Sequence, residues 1–527
     1  MTHPTQTRFI AFLPLLAVGG LAAGAAAQDF NGDKHPDLVV GVPHEEIGGV
    51  AKAGAVNVYY ADPYGKISTA GAQVWDQSVP GLGDTPEFGD EFGAALAWGD
   101  INGDGYDDLA IGVPSEDVYS HYIPPGDRVD AGQVHVLLGS ERGLTADGAL
   151  LYTEEDYWFT ELQPGDSFGF SVAIGDVYNH GYGPAEDLVV GAPFKSVNGL
   201  PAAGAVFTFR SPFDPAGPAS QMFTRKNSEP PAAAFDRYGW SLAIAEWSPW
   251  YPWLAIGIPF ADVNGQADAG AVQVLYYSLY YDALSTAKQQ LWTQDYYMIE
   301  DQAEAGDMFG YSLATGVYVY DWGWFNGQDL MVGVPGEDVN GQVDAGAVAM
   351  IAYTEYFDQL EWYSNQFISQ AMPGMPDPAE AGDEFGTSLA QVKLGYGFTD
   401  RLAIGIPGEG FDRAPGAGAV LYIGAGKEGM DPANSQLLAQ GVAGMADFAE
   451  SHDRFGTTLY GTRRVDGFFA IGVPQEDVNG VTDAGAVHVC YVGYVPGSGN
   501  ELWHQDVPGA PDSCEPYEDY GYGRAGN

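Results

Sequence analysis

Asp329-Leu330-Met331-Val332-Gly333-Val334-Pro335 is an apolar strand closed by Gly-x-Pro, and after eight intervening residues it is answered by Asp344-Ala345-Gly346-Ala347-Val348. The pair recurs along the whole chain. The Gly of Gly-x-Pro falls at Gly41, Gly112, Gly191, Gly257, Gly333, Gly405 and Gly472, with successive differences of 71, 79, 66, 76, 72 and 67 residues. The second landmark keeps step at Gly54, Gly132, Gly204, Gly270, Gly346, Gly418 and Gly485. A third, Asp-x-(Phe/Tyr)-Gly, precedes six of the seven units, with its glycine at Gly93, Gly169, Gly239, Gly310, Gly386 and Gly456. One unit repeated seven times is a closed array of repeats rather than the three or four domains that a length of 527 residues would suggest.

Within one unit, Phe309 to Ala314 alternates as a strand does, Asp329 to Val334 reads as a strand buried on both faces, and Ala347 to Tyr353 is a third. The fourth starts at Leu360-Glu361-Trp362 and has counterparts in Gln289 to Asp295 and Glu501 to Asp506. Asn-Gly pairs at Asn198, Asn264, Asn340 and Asn479 suit the hairpin between strands two and three. No useful helical periodicity occurs. The expected fold is all-β: a seven-bladed propeller of four-stranded antiparallel blades. The first unit lacks its Phe-Gly strand, and Glu518-Asp519-Tyr520-Gly521-Tyr522 imitates the missing piece. The ring is therefore expected to close by a C-terminal strand completing the first blade. The match is imperfect, since Gly523 and Arg524 stand where other copies carry Ser or Thr followed by Leu, and Gly20 to Gln28 of an uncleaved precursor is a rival for the same slot.

Phe9 to Ala27 is uncharged and apolar after Arg8 and ends in Ala25-Ala26-Ala27, so residues 1–27 read as a cleaved signal peptide and 28–527 as the propeller. A membrane anchor is the alternative, but the run is rich in Gly and Ala and has no basic flank after it. The mature protein is expected to be secreted or held at the cell surface, with no direct membrane insertion. A net charge of −51 repels nucleic acid and anionic membrane, which excludes both as partners; it reads as solubility, or as a demand for divalent cations. Two cysteines in an exported chain, Cys490 and Cys514, invite a disulfide worth about 3 to 4 kcal/mol, against the alternative of two free thiols.

The repeats resemble the FG-GAP repeats of integrin alpha-subunit head propellers, over essentially all of residues 29–527. The resemblance implies an extracellular adhesion or ligand-binding propeller with calcium in loops joining strands one and two; similar repeats also occur in a secreted phospholipase D beside a separate catalytic domain. Asp100-Ile101-Asn102-Gly103-Asp104-Gly105-Tyr106-Asp107-Asp108 fits that loop. Asp100, Asn102, Asp104 and Asp108 place side-chain oxygens at positions 1, 3, 5 and 9, and Tyr106 offers a carbonyl at position 7. Calcium, a hard ion taking about six to eight oxygens, suits such a set. Asp29, Asn31, Asp33, His35 and Asp37 repeat the pattern in unit one, with Lys34 in place of the turn glycine. Unit three keeps Asp176 and Asp187 at a stretched spacing, and Arg463-Arg464 of unit seven opposes a cation.

In units four and five the loop is aromatic: Trp247, Trp250, Tyr251 and Trp253, then Tyr318, Tyr320, Trp322 and Trp324. These rings form a sugar-binding platform or, the favoured reading, fill space. Acidic pairs after Gly-x-Pro, such as Glu116-Asp117, Glu337-Asp338 and Glu476-Asp477, lie on the opposite face; each is able to receive a cation or a basic ligand, but their repetition favours structure. The same reasoning assigns Asp90, Asp166, Asp236, Asp307, Asp383 and Asp453 to the inter-blade turn and makes Ser171, Ser241, Ser312 and Ser388 repeat residues rather than nucleophiles. No catalytic motif is present. The sequence thus points to a non-enzymatic, calcium-binding module for an extracellular protein or glycan. A polysaccharide lyase or glycosidase propeller and a structural matrix component are the alternatives. Oligomeric state is not set by the sequence.

Overall fold

The structure is a computed structural model. It describes residues 28–525 apart from 121–124, 157–161, 179–184, 215–218, 226–230, 246–251, 297–298, 300, 319–326, 355–358, 394–399, 412, 427–428, 443, 463–466, 492–498 and 523. The segment read as a signal peptide lies outside the described residues.

Seven antiparallel sheets follow one another along the chain. Blade five runs Leu313–Gly316, Asp329–Val334, Ala347–Thr354, Gln359–Ile368, each strand paired with the next. All six residues of Asp329–Val334 are buried, as a strand packed on both faces requires. Each fully buried Val or Leu there stabilises the fold by about 1.5–3 kcal/mol. The outer strands are more exposed, and the register between strands three and four shifts in blades two, four, five and six, where the fourth strand carries extra residues, an irregularity that makes an edge a poorer template for another chain. Among the described residues the one helical element is a short 3-10 turn at Glu154–Asp156.

The sequence landmarks recur together because they meet in space. A side chain on Gly132 of blade two would collide with the backbone of Phe168, the Phe of the next blade's Phe-Gly, and one on Gly112 would strike the carbonyl of Gly169. The turn residues Asn198, Asn264, Asn340 and Asn479 have φ of 53, 51, 53 and 54°, with positive φ at the following glycines, as an Asn-Gly hairpin needs. The recurring serines staple neighbours: Ser171, Ser241, Ser312 and Ser388 donate through Oγ to the Phe-Gly (or Tyr-Gly) carbonyls of the next blades at 2.8, 2.8, 2.7 and 2.6 Å.

Closure follows the expected path with one difference. Thr458 Oγ1 donates to Gly521 O at 2.7 Å, and Gly521 N donates to Gly41 O at 3.1 Å, as each Phe-Gly or Tyr-Gly glycine does in its own blade. The tail therefore takes the first-strand place, between the first strands of blades seven and two. Its two-residue strand Arg524–Ala525, however, pairs in parallel with Ala95 and Leu96 of blade two, and blade one keeps three strands, Leu38–Val42, Ala55–Tyr59 and Gln73–Trp75. A cavity of about 40 Å³ remains there, lined by Val40, Leu96, Trp98, Tyr460 and Val487 among others.

The expected disulfide is not formed, and both cysteines are free. Cys490 is buried, its Sγ 4.0 Å from Met445 Sδ, whereas Cys514 packs against Val478, Ala484 and Ala486. Ala486 and Cys490 lie at opposite parts of one strand, Ala486–Tyr491. Four residues of strand separate the two places by about 13 Å, well beyond the roughly 7 Å Cα spacing that a disulfide tolerates.

Candidate metal centre

The loop of blade two joins Ala95–Gly99 to Asp108–Val113. Asp100 folds it: its Oδ1 accepts from the N–H groups of Gly103 (2.7 Å) and Asp104 (3.0 Å), and its Oδ2 from Gly105 (2.8 Å). Asn102 Oδ1 accepts from Asp104 N at 2.9 Å and Asp104 Oδ1 from Tyr106 N at 3.0 Å, so positions 1, 3 and 5 each hold the turn that follows. Gly105 sits at φ 90°, where a side chain would be strained. The loop of blade one repeats this. Asp29 Oδ2 accepts from Lys34 N (2.9 Å), Asn31 Oδ1 from Asp33 N (2.9 Å) and Asp33 Oδ1 from His35 N (2.8 Å). Lys34 holds the left-handed position at φ 71° without being glycine.

The ninth-position carboxylates have a second duty that sequence reading missed. Asp108 is buried and accepts from Asn102 N (3.2 Å) and Gly139 N (2.8 Å), tying the strand one–two loop to the end of strand three. Asp37 does the same with Phe30 N and Ala61 N, both at 3.0 Å. Asp187 in blade three accepts from Val177, Tyr178 and Ser211, and Asp329 in blade five from Tyr318 and Tyr353. The residue just before the second strand, which is followed by this Asp in blades two and three and by Arg401 in blade six, reaches the preceding blade. Asp107 Oδ2 accepts from Asp29 N while Asp107 N donates to Asp29 O; Glu186 treats Asp100, and Asp400 treats Val317, in the same way. Only the inter-blade geometry reveals that latch.

The donor set suits a hard cation. Burial, as the largest cause, raises Asp29 and Asp100 above the usual carboxylate range, Asp108 to about 7 and Asp37 to about 8, a strain that a bound divalent ion would relieve. Asp29 Oδ1 is buried with no hydrogen-bond partner, and Asn102 Nδ2 donates to Asp104 Oδ2 at 2.9 Å, which holds the side chains of positions 3 and 5 together. The side chains are turned onto their own backbone, so the carboxylates of Asp100, Asp104 and Asp108 do not converge. Among the described residues, the group of three carboxylates with oxygens all within 4.8 Å of one another is Glu380, Asp383 and Glu409, in blade six.

Of the aromatic residues in blades four and five, Trp253 and Tyr318 are buried in the cores, 2% and 0% exposed, which is the space-filling role. Trp247, Trp250, Tyr251, Tyr320, Trp322 and Trp324 lie outside the described residues, as do Arg463 and Arg464. Asp90, Asp166, Asp236, Asp307, Asp383 and Asp453 do anchor the inter-blade turn, each accepting a backbone N–H from three residues upstream. Among the described residues no helix is long and apolar enough to cross a membrane.

A profile of the FG-GAP repeat matches residues 21–59 and 92–137, beginning inside the segment read as a signal peptide. Integrin alpha-PS2 of Drosophila melanogaster is 29% identical over 243 residues, 44% of this chain and 15% of that protein. Phosphatidylinositol-glycan-specific phospholipase D of Bos taurus is 32% identical over 188 residues, 35% of this chain and 20% of the enzyme. Integrin alpha-IIb of Mus musculus is 32% identical over 170 residues, 32% of this chain and 14% of that subunit. The chain spans a fifth or less of the length of these relatives.

Proposed function

We propose, from the FG-GAP repeats that the profile finds in it and from its likeness to part of integrin alpha subunits, that the chain is an exported, calcium-stabilised module that binds an extracellular protein or glycan and has no enzymatic activity of its own. The observation that carries this reading is the loop Asp100 to Asp108, with its twin Asp29 to Asp37: nine residues wound around side-chain oxygens, on a scaffold with buried, uncompensated acids. Asp100, Asn102, Asp104, Asp108 and the Tyr106 carbonyl would hold one ion, and Asp29, Asn31, Asp33, Asp37 and the His35 carbonyl a second. Calcium supplies charge neutralisation there. The loops themselves fix the entry to strand two and, through Asp29 and Asp107, the seam between blades one and two.

The recurring serines support a non-catalytic reading, because their hydroxyls are buried and committed to carbonyls of the next blade. The phospholipase D relative shares about a fifth of its length with this chain, which supports a binding accessory as much as an enzyme. The test is thermal melting with and without chelator in the parent and in Asp104→Asn. The parent is expected to lose melting temperature on chelation, with a smaller loss in the variant. An equal loss in both would overturn the assignment of calcium to this loop. Binding to a panel of matrix proteins and glycans, with and without calcium, then tests the ligand class.

A further inference from the structure

Each blade is entered through a junction on the face opposite the metal loops, where the segment arriving from the previous blade meets the turn after Gly-x-Pro. In blade six Gln370 Nε2 donates to Glu409 Oε2 at 3.1 Å, and Glu409 faces Asp377, Glu380 and Asp383. The arriving segment follows one spacing, Gln-x6-Asp-x2-Glu-x2-(Asp/Glu), beginning at Gln77, Gln294, Gln370, Gln440 and Gln505. The receiving residues are Glu116, Glu337, Glu409, Glu476 and Glu45, and in all five junctions the Gln amide donates to the Glu carboxylate.

Two further observations point to a ligand. All five glutamines are buried, at most 4% exposed, and the Oε1 atom of each has no hydrogen-bond partner, so an oxygen of every junction is left unsatisfied beside a group of carboxylates. The remaining two junctions show what fills the place. In blade three the Glu position is Lys195, whose ammonium bonds Glu154, at the Gln position, and Asp166 at 2.8 Å. In blade four the Gln position is Arg225, paired with Asp236 at 3.0 Å, and the Glu position is Ala261. Where the chain supplies its own cation the spacing is broken: 12 and 11 residues, not 13, run from Glu154 to Asp166 and from Arg225 to Asp236, and Gln163 and Ala233 stand three residues before the anchoring Asp, although Glu161 and Glu229 remain in the two segments.

We propose that each of the five acidic junctions binds a divalent, oxygen-seeking cation of the calcium class, held by the Glu after Gly-x-Pro, the Asp or Glu of the arriving turn and the Gln carbonyl, in the place that Lys195 and Arg225 occupy in blades three and four. The ligand set is oxygen alone, which selects a hard ion. In blade six the three carboxylates are already spaced for one ion, and a cleft of about 470 Å³ lined by Gln370 and Asp377 gives it a route from solvent. Burial, with the neighbouring acids adding to it, raises Glu116 to about 9 and Glu476 to about 8.

The experiment is equilibrium dialysis of the chelator-treated full chain against calcium alone, with bound metal counted by mass spectrometry. Three variants are compared: Gln370→Glu with Glu409→Lys, which copies the Glu154–Lys195 pair; Glu409→Gln, which keeps the shape and removes one charge; and Asp104→Asn in the loop of blade two. The Lys variant is expected to bind one ion fewer than the parent, Glu409→Gln to weaken one site at least tenfold, and Asp104→Asn to leave the junction ions in place. An ion count unchanged in both junction variants would overturn the proposal, because the junctions then hold water and protons only. Loss of ions in Asp104→Asn alone would support the loop reading and sink this one; loss in the junction variants alone would do the reverse.

Discussion

Blades three and six enter the ring through the same turn, one carrying an ammonium and the other an amide. At blade three Lys195 is 3% exposed and bonds two buried carboxylates, so the junction is neutralised by the chain itself. At blade six the corresponding residue is Glu409, beside three more acids and an amide oxygen with no partner. One backbone design therefore accommodates opposite charges at the same site. What is common to both is the turn anchored by Asp166 or Asp383; what differs is the source of positive charge.

The contrast is broken most severely at Lys195. Lys195→Met leaves Glu154 and Asp166 buried without their partner, and a loss of about 3–5 kcal/mol is expected in urea unfolding; Glu409→Gln is expected to cost far less in chelator. A smaller effect sharpens the same point through pH. Glu116 stands at about 9 and Asp453 at about 7, both raised first by burial and above the values of the unfolded chain. Acids shifted upward contribute stability that is complete below their unfolded pKa of about 4 and is lost as pH climbs through the folded one. In chelator the melting temperature should therefore fall from pH 5 to pH 9, and calcium should flatten the slope. A chelator-treated protein equally stable at both ends would contradict the charge reading. The smallest effect is the control: Ser312→Ala removes one hydrogen bond to Gly386 and should cost about 1 kcal/mol, measured by urea midpoint, with or without calcium.

The ring was legible in the sequence because its landmarks are steric. Gly112, Gly132, Phe168 and Gly169 touch at one seam, and no larger residue fits, so the pattern survives in every unit. Turn chemistry was legible for the same reason, as Asn340 and Gly341 show. The metal loop is a local motif, readable as nine consecutive residues, although the clamp role of Asp108 toward Gly139 required knowing which strand lies beside it. The pairing of Cys490 with Cys514 failed because 24 residues of sequence say nothing about which part of a strand the second thiol reaches. The junction spacing beginning at Gln77 was present in the sequence but gains meaning only when Glu116, 39 residues away, is seen to meet it.

Four of the five Gln–Glu junction contacts join residues 36 to 43 apart, while the fifth, Gln505 to Glu45, spans 460. Loop-closure entropy makes that last contact about 2 kcal/mol more costly to form than its sisters. Six blades can thus condense as the polypeptide emerges, each on its predecessor, while the clasp at Glu45 waits for the final two dozen residues. A nascent or clipped chain lacking them would hold every blade's own hydrogen bonds and still be an open arc, exposing the flank of Leu38–Val42 to whatever strand arrives first.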